Sequence, residues 1–178
     1  GQVPATGRIV EIGSVRGRST IAIARSAPAG TEIVAIDPHA GNDRGPQEIE
    51  GFVDEAEQDN TTFEANLTTA GVRDRVRHLR KFSDAAHDDV EGQVDLLYVD
   101  GAHRNKPALA DIRDWGRRIT PGGTLLIHDS FSSIGVTLAI LASLAFSSRW
   151  RYEGRAQSMT HYTRTAVPLL RLCACPKL

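Results

Sequence analysis

Two short stretches concentrate the side chains that could do chemistry. "LYVDGAH" at 97–103 ends an apolar run on Asp100 and follows it with His103. "LLIHDS" at 125–130 ends a second apolar run on His128 and Asp129. Two carboxylates with open positions suit Mg²⁺, a hard cation that takes few protein ligands and keeps several waters. Histidine adds two possibilities. Its pKa range fits a general base at neutral pH, and as a ligand it is softer than Mg²⁺ prefers. His128 is therefore open to three roles: metal ligand, base, or a side chain turned into the fold. His103 is the other candidate base.

A third stretch, "EIGSVRGRS" at 11–19, reads as a glycine-bearing turn from strand to helix. Gly13 allows a tight turn, and Gly17 lets the helix start pack close to the strand. Asp37 follows twenty residues after Gly17, where an acid accepts hydrogen bonds from ribose hydroxyls. A nicotinamide dinucleotide wants G-x-G-x-x-G so that backbone can approach its pyrophosphate. This chain has E-x-G-x-x-x-G, with Val15 where the middle glycine would stand. Glu11 and Asp37 put negative charge on both sides of the turn, which suits the cationic, phosphate-free S-adenosylmethionine. An NAD-dependent oxidoreductase is the rival reading.

These groups need a scaffold that brings them together. Strands are predicted at 8–13, 31–37, 75–83, 94–100 and 122–129, and two final strands within 150–156 and 159–167. Helices are predicted at 18–27, 48–70, 84–90, 106–119 and 135–146. Four of the strands are nearly continuous apolar runs alternating with helices, the pattern of a parallel sheet buried on both faces. The fold class is therefore α/β, a Rossmann-like doubly wound sheet. In such sheets ligands bind beyond the carboxyl ends of the strands, where strand order reverses. Glu11 to Gly13, Asp37, Asp100 and Asp129 all fall at such ends.

The remaining candidates are weaker. His39 and Asp43 lie in a Gly/Pro-rich loop from 38 to about 47, long enough for a lid over a site, where they either reach substrate or stand in a solvated loop. His161 and Tyr162, in the last strand, are candidates for the acceptor pocket. Trp115 and Trp150 read as packing residues. "GVRDRVRHLRK" at 71–81 alternates charge along a strand and reads as an exposed sheet edge.

With 178 residues the chain fits one domain. A net charge of -1 argues against nucleic-acid or acidic-membrane partners. Cys173 and Cys175 make no disulfide framework, as expected of a reducing cytoplasm. No apolar run reaches the length of a membrane span.

The stretches "VEIGSVRGRSTIAIA", "IVAIDPHAG", "LRKFSDAA", "VDLLYVDGAHRNKPALADIRDW" and "RRITPGGTLLIHDSFSSIGV" resemble, in order, the class I S-adenosylmethionine-dependent methyltransferases over residues 8 to about 136. "DGAHRNKPALADI…W" followed by "PGGTLLIHDSF" is similar to the branch of macrocin-type sugar O-methyltransferases, and more narrowly to the mycobacterial 1-O-methyltransferases of methylmannose polysaccharide synthesis.

The resemblance implies a seven-stranded, mostly parallel sheet whose last strands form an antiparallel hairpin. It assigns Glu11, Gly13, Ser14 and Gly17 to the cofactor turn and Asp37 to the ribose. Ser83, with Phe82 or Asp84 beside it, would lie near the adenine, and Asp100 where cofactor and metal sites meet. It implies Mg²⁺ at Asp100 and the 128–129 pair, although relatives carry an acid where this chain has His128. The implied reaction is methyl transfer to a hydroxyl of a sugar or glycoside, small or oligosaccharide, with a homodimer left open. A metal-independent methyltransferase on a non-sugar molecule, with a histidine as the base, is the alternative.

Overall fold

Val10, Val34, Leu97 and Leu125, each inside one of the four apolar runs, are fully buried on neighbouring strands of one sheet. The computed structural model describes residues 3–40 and 52–166. Among them the strands are β1 (Arg8–Ile12), β2 (Glu32–Ile36), β3 (Val76–Leu79), β4 (Val94–Val99), β5 (Ile119–Ile127), β6 (Trp150–Ala156) and β7 (Met159–Arg164). The helices are α1 (Arg18–Ser26), α2 (Phe52–Thr69), α3 (Asn105–Ala110) and α4 (Ile134–Ser143). The sheet order is β3-β2-β1-β4-β5-β7-β6. The first five strands pair in parallel, and β7 runs antiparallel to both β5 and β6. This is the expected doubly wound sheet with its terminal hairpin.

The sheet is covered on two sides. Val10, Ile12, Leu97, Val99 and Ile127 share a core with Ile112, Trp115, Val136 and Ile140. Ile33 and Ala35 pack with Ala24, Phe63 and Leu67. Trp115 is fully buried and Trp150 packs at the edge of the same core, as their reading as packing residues requires. β3 is an edge strand, as its alternating charge implies.

Three local departures from expectation have physical causes. β3 stops at Leu79, because a 3₁₀ segment, Ser83–Asp89, starts soon after. β5 begins at Ile119, ahead of the prolyl-glycine turn. The register steps from Val94↔Ile119 to Leu96↔Thr124, so the "TPGG" residues bulge, with Gly122 at φ 85°. The predicted helix over 106–119 does not run through. α3 gives way to a π turn, Asp111–Trp115, and then a 3₁₀ turn, Gly116–Arg118. The wide π turn buries Asp111, Ile112 and Trp115 together. Such turns often occur at functional sites.

Strand order reverses between β1 and β4, and one repeated hydrogen bond levels the strand ends there. Gly13 N–H donates to Ile36 O, Asp37 N–H to Leu79 O, Asp100 N–H to Ile12 O and His128 N–H to Val99 O, at 2.8–3.1 Å. Each ladder thus runs one step past its strand. Asp37, Asp100 and His128 therefore emerge at the same rim.

Candidate active site

The rim opens into a cleft of about 870 Å³. Gly13, Val15 and Arg16 line it from the first turn, Asp37 and Pro38 from β2, and Phe82, Ser83 and Asp84 from beyond β3. Asp100, His103 and His128 line its other half.

The first turn is built around two buried acids. Asp37 Oδ2 accepts the N–H groups of Ser14 and Val15, both at 2.8 Å, and Oδ1 accepts that of His39 at 2.7 Å. Glu11 does not face the cleft. It is fully buried, and its Oε2 accepts the hydroxyls of Ser14, at 3.2 Å, and of Thr20. Oε1 is buried without a partner. Burial pushes the carboxyl up to about 7, against the pull of the Ser19, Thr20 and Ser14 hydroxyls. Glu11, Ser14 and Gly17 stand behind the turn and shape it. Gly13 is placed for close approach: its φ is 87°, and a Cβ there would sit 2.5 Å from Asp100 O.

His39 is a correction to the expectation that it reaches substrate. It is 4% exposed, with Nε2–H donating to Val15 O at 2.8 Å. Its ring packs against Phe63 and His78, so it clamps the turn from behind. Asp43, Cys173 and Cys175 lie outside the described residues. Tyr162 is in the core. Neither it nor His161 lines the cleft, because β7 is separated from β4 by β5.

At the other end, Asp100, His128 and Asp129 each offer one ligand atom within a mutual 4.8 Å. His128 Nδ1 lies 3.0 Å from Asp100 Oδ1 and 3.4 Å from Asp129 Oδ1, buried and without a hydrogen-bond partner. The second atom of each residue is held elsewhere. Tyr98 O–H donates to Asp100 Oδ2 at 3.0 Å, His103 Nε2–H to Asp129 Oδ2 at 2.6 Å, and His128 Nε2 bonds Ser158 Oγ at 3.2 Å. Such outer partners aim ligand atoms at a common point.

The two carboxylates are electrostatically unlike. Burial raises the Asp100 carboxyl above its ordinary value, opposed by the nearby His128. Asp129 also meets desolvation, but hydrogen bonds from His103 and Ser132 outweigh it and hold the group below its ordinary value. Tyr98 is pushed upward by burial and by Asp100, so it stays a donor.

The donor set fits a divalent cation. Adjacent ligands of an octahedral ion with bonds of about 2.1 Å are about 3.0 Å apart. That is close to the spacing around His128, whose unpartnered nitrogen is otherwise a buried cost. The imidazole makes the set better suited to Mn²⁺ or Fe²⁺ than an all-oxygen site would be.

Sequence reasoning missed Ser158, Tyr98 and Asp111. Ser158 sits in the β6–β7 turn and Asp111 on the π turn. Neither has a local motif, and only the strand-end geometry brings them in.

A family model described as a methyltransferase domain matches residues 10–130. The uncharacterized protein y4gI of Sinorhizobium fredii is 32% identical over 130 residues, which are 69% of this chain and 13% of that protein. The match thus spans a small part of the curated relative. Among solved structures, the O-methyltransferase NovP has a TM-score of 0.68 at 16% identity, covering 92% of this chain and 73% of its own. The Bacillus cereus O-methyltransferase in complex with SAH has a TM-score of 0.65 at 15% identity, over 90% and 75%. Both share the fold. With most of its length matched by that model, and the glycine turn, Asp37 and Asp100 gathered at one cleft, the chain belongs to this methyltransferase-domain family.

Proposed function

We propose that this domain moves a methyl group from S-adenosylmethionine to a hydroxyl of a sugar or glycoside, with a divalent cation at Asp100, His128 and Asp129 and with His103 as the base. The observation that carries it is the convergence of Asp100 Oδ1 and Asp129 Oδ1 on His128 Nδ1, with Asp100 and His128 lining the same cleft as the glycine turn and Asp37.

A bound cation lowers the pKa of an acceptor hydroxyl and orients it. The protein does the rest. Asp37 and the turn it ties hold the donor's ribose. Gly13, lacking a side chain, leaves the backbone open to the donor. The acceptor oxygen forms its bond to the methyl carbon as the carbon–sulfur bond breaks, and that electron pair stays on sulfur. The proton passes to His103, whose ring is held through Nε2 by Asp129. Holding two reactants in line is itself a large part of such catalysis. The imidazoles thus divide the work: His128 is a ligand and His103 takes the proton.

One observation favours a second reading. A protonated His128 between two carboxylates at 3.0 and 3.4 Å can stand in for a cation, giving metal-independent transfer. Calorimetric titration of S-adenosylhomocysteine, followed by turnover across a panel of sugars with Mg²⁺, Mn²⁺ or EDTA, tests both. Micromolar binding and turnover lost in EDTA support the first reading. Turnover unaffected by EDTA leaves the second. No binding of S-adenosylhomocysteine defeats both.

A further inference from the structure

Helix α4 is apolar on both of its sides, and the fold buries only one. Its inward positions Val136, Ala139 and Ile140 lie in the core. On the outward side Ile134, Leu138 and Leu141 recur at the spacing of one helical stripe. Phe131 precedes the stripe and Phe146 follows it. All five side chains are between 47% and 97% exposed. No charged residue occurs from Phe131 to Ser148. A helix that is apolar all round belongs in a buried setting, and among the described residues nothing supplies one on this side.

Phe131 is an independent observation at the end of the stripe. Its φ is 64°, a left-handed conformation that costs a bulky residue. Ser130 is buried and holds it there, donating its N–H to Ser158 O at 2.8 Å and its hydroxyl to Ile127 O at 2.9 Å. The chain is thus strained into presenting an aromatic ring to water. Arg155, whose guanidinium carbon is 5.8 Å from the ring centre, begins a polar rim.

Area and shape identify the occupant. The five side chains expose on the order of 600 Å² of apolar surface, the upper end of what a monomer shows in one patch. That is most of the roughly 800 Å² each partner buries in a specific complex. The stripe is also self-complementary, as a two-fold contact requires. In an antiparallel pair of α4 helices with the axis at Leu138, each Leu138 meets its own mate. Ile134 then falls on Ala142 of the second copy, and Phe131 beside Ala145. Both alanines are exposed, so these large side chains meet small ones and the helices can close to about 8–10 Å. No charge on the stripe has to be stripped of water.

We infer that the outer face of α4 is the interface of a homodimer, two α4 helices packing antiparallel about Leu138. This does not rest on the methyl-transfer reading.

Sedimentation velocity of the full chain at micromolar concentrations, where interfaces of this size associate, tests it. Wild-type protein should sediment as a dimer. Leu138→Glu sets two carboxylates against each other at the axis and should weaken dimerisation by about 100-fold or more. Ile134→Lys, at the most exposed position of the helix, should weaken it by about 10-fold or more without a cost to folding. Adding Ala142→Glu to Ile134→Lys should restore the dimer, because the antiparallel register sets position 134 on position 142 of the other copy. Within one chain those positions are about two turns apart and cannot pair. Wild-type protein that stays monomeric overturns the inference and leaves the face to a different chain. A dimer that both Leu138→Glu and Ile134→Lys leave intact also overturns it, since its interface lies elsewhere. Failure of Ala142→Glu to rescue Ile134→Lys overturns the antiparallel register.

Discussion

His103 Nε2 and Asp129 Oδ2 lie 2.6 Å apart, although one residue follows β4 and the other follows β5. Two local features bring them together. Asp129 has a φ of 51°, a left-handed conformation that Asp tolerates better than most residues. Ser133, the N-cap of α4, donates its hydroxyl to His103 O at 3.1 Å. The two loops are thus tied by a side-chain pair and by a cap.

If His103 takes the proton, His103→Ala should lower kcat by about 10²–10⁴-fold and leave S-adenosylhomocysteine affinity unchanged. Steady-state kinetics beside calorimetry checks this. A kcat within threefold of wild type would return the base role to another group.

Metal affinity should depend on a serine that touches no metal. Ser158→Ala frees the His128 ring and should weaken Mn²⁺ binding by about 10-fold or more, read by calorimetry. His128→Asp should shift preference toward Mg²⁺, since it turns the set all-oxygen. Equal Mn²⁺ affinity in wild-type and Ser158→Ala protein would mean that the Ser158 bond does not orient the His128 ring for a metal.

Gly135, in the first turn of α4, packs against the His103 loop. A Cβ there would overlap His103 O and sit 2.8 Å from Asn105 N. Gly135→Ala should cost about 1–3 kcal/mol, as overpacking does, and should displace His103. Thermal unfolding and kcat measured together check it. A fall in both is expected, and an unchanged kcat would show that the loop absorbs the methyl group.

Glu11 sets a stability term with a definite sign. Its folded-state carboxyl titrates at about 7 against 4.5 for the free group, so the fold favours the protonated form. That stabilisation is full below 4.5 and is lost as pH rises through about 7. Glu11→Gln keeps the group neutral and should flatten the loss, gaining up to about 3 kcal/mol at pH 8 relative to wild type. Denaturant unfolding at pH 5, 6, 7 and 8 reads it. Parallel curves for the two proteins would show that Glu11 is ionised in the fold.

Much of the scaffold was legible because its signals are local. Continuous apolar runs such as "RIVEI" and "VDLLYV" can be buried only in a two-sided sheet. Each run ends where an acid or glycine makes further burial costly, so Asp37, Asp100 and Asp129 could be placed at strand ends before any geometry was known. The shortfalls arose where distant residues decide. The π turn at Asp111–Trp115 has no pattern distinct from a helix. It exists because Trp115, Ile112 and Asp111 are all drawn inward at once.

The sequence by itself determined the alternation of strand and helix, the rim on which the chemistry sits, and the residue types on that rim. Only the tertiary structure decided what each of those side chains meets. His103 and His128 look alike in the sequence. They differ because the ladder step His128 N–H to Val99 O aims Nδ1 at two carboxylates, while His103 meets the outer oxygen of Asp129. His39 looked like a loop residue free to reach substrate, and packing against Phe63 turned it inward. A side chain's type states which bonds it can make. Its partners across the sheet, too far along the chain to be read locally, settle which of them it does make.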